Sequence, residues 1–108
     1  MESIYAPLMG RMVIVRAHMA GVYVGVVAAV HADGVTLAPG ARQLHYWSAG
    51  GSCPQIAERG IQHEGSRVTA PAARPVILAG GAVVVSVHEM TGTAWERVMG
   101  APEWDGGL

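Results

Sequence analysis

A chain of 108 residues with 51% apolar content is one domain by size and can sustain one core. Seven Arg and no Lys stand against eight acidic residues, a net charge of −1, so the positive excess needed to bind polymeric nucleic acid without sequence preference is missing. Its one cysteine excludes an intramolecular disulfide, and the longest apolar run, Val22–Val30, falls short of the roughly twenty residues of a membrane span.

Phe is absent and Val fills fifteen positions, so the core must be built from small and β-branched side chains, which favour pleated strands. The expected class is mainly β, with helix as the minor part. A small twisted antiparallel sheet or SH3-like barrel of five to seven strands with two short helices is predicted. No basic stretch followed by an apolar one opens the sequence, so no signal peptide is expected and the cytoplasm is the predicted location.

Residues 1–108 read as a single domain in which Met1–Gly10 form a loose arm without clear period. Arg11–His18 alternates as a strand, with Val13, Val15 and Ala17 on one face. Val22–His31 is a second strand in which Gly25 predicts a bulge or a close backbone approach. Asp33-Gly34 signals a hairpin and Val35–Leu37 begins the return strand. Arg42–Trp47 is the next strand, with Arg42, Leu44 and Tyr46 on one face and Gln43, His45 and Trp47 on the other.

Gly50-Gly51 ends that strand. Ser52 and Gln55 then form a capping box, Pro54 lies in the first turn and Gly60 suits the C′ position, so a helix is predicted over Cys53–Arg59. Ile61–Arg74 reads as a surface loop with a short extended piece at Arg67–Thr69. Pro75–Ala79 and Ala82–Glu89 are apolar strands that Gly80-Gly81 would join as a hairpin, and Thr93 with Glu96 would cap a last helix, Ala94–Met99.

No catalytic constellation emerges, and the chain is not expected to be an enzyme. Cys53, which the start of a helix would make somewhat more acidic, lies in no nucleophile signature, and the acidic residues are not paired at a fixed spacing. The five histidines have no metal-ligand spacing, so neither metal nor cofactor is expected, and without Lys no phosphate loop of the usual kind is possible. Tyr46 and Trp47, followed by Ser48 and a glycine pair, offer an aromatic face for a flat ligand. The helix start and Arg42 would suit a phosphate, and the turn of Arg16, His18, Ala20 and Gly21 would lie beside it. These eight residues are the expected ligand site, against the reading that periodicity alone favours, in which Trp47 fills the core and the glycines simply turn the chain.

The segments VIVRAHMAGVYVG (Val13–Gly25), VTLAPGARQLHYWSAG (Val35–Gly50) and CPQIAERGI (Cys53–Ile61), with the tail near Ala101–Trp104, resemble a family of small phage and prophage proteins. Arg16, Ala20, Gly21, Val22, Ala41, Arg42, Tyr46, Trp47 and Gly60 match its pattern, whereas Ala17, Gln43 and His45 stand where Thr, Arg and Trp are expected. Phages encode small oligomeric sponges that sequester the cyclic-nucleotide signals of bacterial defences such as CBASS. The resemblance therefore implies a homo-oligomeric anti-defence protein of the host cytoplasm. It would bind a cyclic di- or trinucleotide without cleaving it, with no membrane and no polymeric nucleic acid as partner. The other reading is a structural or accessory virion protein that works through protein contacts.

Overall fold

Val13, Ile14 and Val15 have no exposed surface, which consecutive strand residues achieve only where both faces of the strand are covered. The computed structural model describes residues 3–48, 50–80 and 83–104 and places these three in β1 (Met12–Ala17). Ile14 points into a first hydrophobic core and Val13, Val15 and Ala17 into a second, so β1 divides two cores.

The long strand β2 (Gly21–His31) serves both cores. Its first half pairs antiparallel with β1 and with β4 (Arg42–Ser48), its second half with β3 (Gly34–Leu37). The register shifts between Val27 and Ala29, so the bulge lies at Ala28. Gly25 marks a close approach instead: a Cβ there would lie 2.9 Å from that of Ala41. Gly34 is also required for space rather than for a turn. Its Cβ would fall 2.0 Å from the Leu78 carbonyl oxygen of β6 (Val76–Leu78).

Two expectations need correction here. β6 pairs with β3, while β7 (Val84–Glu89) pairs with β1, so the two do not form a hairpin with each other. The Gly-Gly signal is local, whereas each strand finds a partner far away in sequence; Gly81 and Ala82 lie outside the described residues. The supposed loop after α1 (Cys53–Arg59) is mostly a strand, β5 (Gln62–Thr69), which pairs with β4. It was concealed because only Val68 of its eight residues is buried. β8 (Glu103–Trp104) adds a short parallel edge to β5. The result is a mainly β domain whose eight strands among the described residues, more than expected, curl into an open half-barrel in the order β6-β3-β2-β4-β5-β8, with β1 branching from β2 and β7 pairing with β1.

The helix α1 has the predicted bounds. Gln55 Oε1 accepts the Ser52 backbone N–H at 2.8 Å, and Gly60, at φ +78°, donates its N–H to the Ile56 carbonyl at 2.8 Å. The second helix, α2 (Gly92–Met99), is capped two residues earlier than expected. The Thr91 hydroxyl accepts the Ala94 N–H at 3.1 Å and donates to the Glu58 carbonyl at 2.8 Å, which ties the start of α2 to the end of α1. Both helices cover the first core through Ile56, Ala57, Ala94 and Val98.

The described part of the N-terminal arm is docked, not loose. Tyr5 and Leu8 pack on the second core around a 3-10 turn at Ala6–Leu8, and the Ser3 hydroxyl donates to the His31 carbonyl. Among the described residues, no helix is long and apolar enough to cross a membrane.

Candidate functional site

The pairing of β1 sets Arg16 opposite Val22 on one side and Ser86 on the other. This row forms one wall of an open cleft of about 410 Å³, completed by Trp47, Ser52, Cys53 and Pro54. Arg16 is exposed and, among the described residues, is the only charged one of the lining. Trp47 is half-buried; it packs on the first core, and its Nε1–H donates to the Gly51 carbonyl at 2.9 Å, which fixes the ring's orientation. A held indole, a guanidinium and the hydroxyls of Ser52 and Ser86 thus share one cleft.

Of the eight expected ligand residues, the structure brings Arg16 and Trp47 to the cleft. The others are elsewhere. Arg42 is a buried clamp: its Nε donates to the Thr69 carbonyl at 2.7 Å, and Nη1 to those of Met99 at 2.9 Å, Ala101 at 2.8 Å and Val98 at 3.2 Å. Burial lowers its pKa and nearby Glu103 raises it in part. A guanidinium so enclosed has no access to a phosphate.

Tyr46 should have followed Leu44 to the interior, but the β4–β5 register shifts between these residues and leaves it exposed. Ser48 is taken up by β5, its backbone N–H going to Ser66 Oγ at 3.1 Å and its hydroxyl to the Glu64 carbonyl at 2.7 Å. His18 and Ala20 belong to the β1–β2 turn and Gly21 opens β2, all outside the cleft lining, with the Ala20 carbonyl accepting from Gln43 Nε2 at 3.3 Å.

The start of α1 is also a poorer anion site than its sequence suggests. The Ser52 N–H is already donated to Gln55, and Pro54 has none to give. Cys53 departs from expectation as well: burial pushes its thiol pKa up, and the Arg16 guanidinium draws it back only partly. Sequence reasoning missed Val22, Ser52, Cys53, Pro54 and Ser86 as cleft residues. Ser52, Cys53 and Pro54 were visible only as helix-start signals, and nothing local to Ser86 pointed to a site. Among the described residues, no group of three or more His, Cys, Asp or Glu is placed to hold a metal ion.

A mainly β half-barrel whose open cleft lies between its sheet and its first helix is the class of domain defined by these features. The chain belongs to the family described as a domain of unknown function, DUF6948, whose model matches residues 10–98. No curated protein and no solved structure matches it.

Proposed function

We propose that the chain is a binding module that holds a small ligand with a flat ring and an anionic group, and does not cleave it. The observation that carries this reading is the convergence of Trp47 and Arg16 on one cleft of about 410 Å³, within the usual range for small-molecule sites. The ring would lie against Trp47 and the anion on Arg16. Among the described residues the lining holds no histidine and no carboxylate, so none of these offers the Cys53 thiol or the two serine hydroxyls a proton acceptor of that kind in the cleft. A nucleotide unit of a cyclic di- or trinucleotide fits this description. For a phage protein, sequestering such a signal in the host cytoplasm as a homo-oligomer is the specific form the proposal takes.

Calorimetry with cyclic di- and trinucleotides tests it. Binding at micromolar concentration is expected, weakened at least about tenfold by Arg16→Ala, since a charged hydrogen bond is lost. An absence of heat with every ligand of the panel rejects the reading.

The exposure of Ile77 (69%) and Val85 (57%) on strands β6 and β7 favours a second reading, a structural or accessory virion protein working through protein contacts. Its detection in purified particles supports that; confinement to early infection counts against it.

A further inference from the structure

Resting on the nucleotide reading of the cleft, we infer that the site is indifferent to the identity of the base: it recognises one ring face and one anionic group. Telling bases apart requires directional groups aimed at their edges, and amide side chains or carboxylates are the usual readers. Among the described residues, neither lines this cleft.

The sequence contains no Asn and three Gln. Two of these amides are engaged in holding the fold. Gln55 Oε1 accepts from both the N–H and the hydroxyl of Ser52, at 2.8 and 3.0 Å, and Gln43 Nε2 donates to Ala20. The third, Gln62, is in β5 opposite Ser48, outside the cleft lining.

The groups that do line the cleft discriminate weakly. A serine hydroxyl both donates and accepts, so Ser86 satisfies either kind of base edge, whereas the Ser52 hydroxyl already gives its proton to Gln55. Val22 and Pro54 are apolar walls, which reject a near-isostere poorly. The indole of Trp47 stacks on any base, because every base has a π-face. Its own N–H is committed to Gly51 and reads nothing. Arg16 is the exception, since a guanidinium can grip either a phosphate or the edge of guanine. Its assignment to the anion therefore makes a definite prediction.

The full-length chain is titrated, by calorimetry and Trp fluorescence, with the monophosphates of adenosine, guanosine, cytidine and uridine and with the four matching nucleosides. The four monophosphates are expected to bind within about threefold of one another, and the nucleosides at least about tenfold more weakly. Arg16→Met, at an exposed position, removes the charge without adding an amide and should bring all four monophosphates down to the nucleoside level together. A preference above about tenfold for one monophosphate overturns the inference while leaving the binding reading intact, and a preference for guanosine would put Arg16 on the base edge. No binding by any monophosphate or cyclic oligonucleotide overturns both.

Discussion

Arg42 shows how far the role of a side chain can depart from its chemical promise. Its donors face carbonyls from β5, from the end of α2 and from Ala101, so it closes the C-terminal part of the fold and complements the negative end of a helix. Arg42→Ala should therefore cost about 3 kcal/mol or more in denaturant unfolding, because several buried carbonyls lose their donor together. Arg42→Lys should recover only part, since one ammonium cannot span the same set. Cys53 gives a pH signature. Its thiol pKa is raised in the fold, so its stabilising contribution is complete below the ordinary thiol value of about 8.5 and is lost as pH climbs through the folded value. Unfolding free energies measured upward from neutral pH should fall in that alkaline window, and Cys53→Ala should remove the thiol's share of the fall. Met19 sits at φ +63° and is 93% exposed, a left-handed conformation with no packing in return. Met19→Asn should raise the unfolding free energy by about 0.5 kcal/mol, read as a higher denaturant midpoint at unchanged slope.

Elements whose signals are local were legible, and those defined by distant partners were not. The bounds of α1 follow from Ser52, Gln55 and Gly60, all within one short stretch of chain, and β1 to β4 follow from alternation between turn residues. β5 escaped because Gln62, His63, Glu64 and Gly65 are exposed and its pairing with β4 slips twice, leaving no alternation to read. The cleft was half legible for a related reason. Trp47 announced itself as an aromatic beside tight turns, but Ser86 reaches the cleft only because β7 pairs with β1. Arg42 alternates in phase with Leu44, which hinted at burial, yet the carbonyls that enclose it come from 26 to 59 residues away. Gly34 carries the prediction at this scale. Gly34→Ala should destabilise the domain by about 2 kcal/mol or more, because the new methyl meets β6 backbone, which cannot move aside as a side chain would. The loss should appear in thermal unfolding.

At the scale of the whole molecule, stability is graded outward from β1, the strand covered on both faces. Native-state hydrogen exchange should find the most protected amides in Val13–Val15 and the earliest opening at β6 and β8, edge strands of three and two residues. Equal exchange across the sheet would contradict this gradient. The Arg42 clamp has a further consequence, for the chain while it is being made. Its acceptors at Val98, Met99 and Ala101 are translated 56 to 59 residues after it, an interval of roughly 3–12 s at typical rates of synthesis. Until they emerge, the nascent sheet carries a cation whose seat is only begun at Thr69, so the fold closes only once the chain has emerged through Ala101.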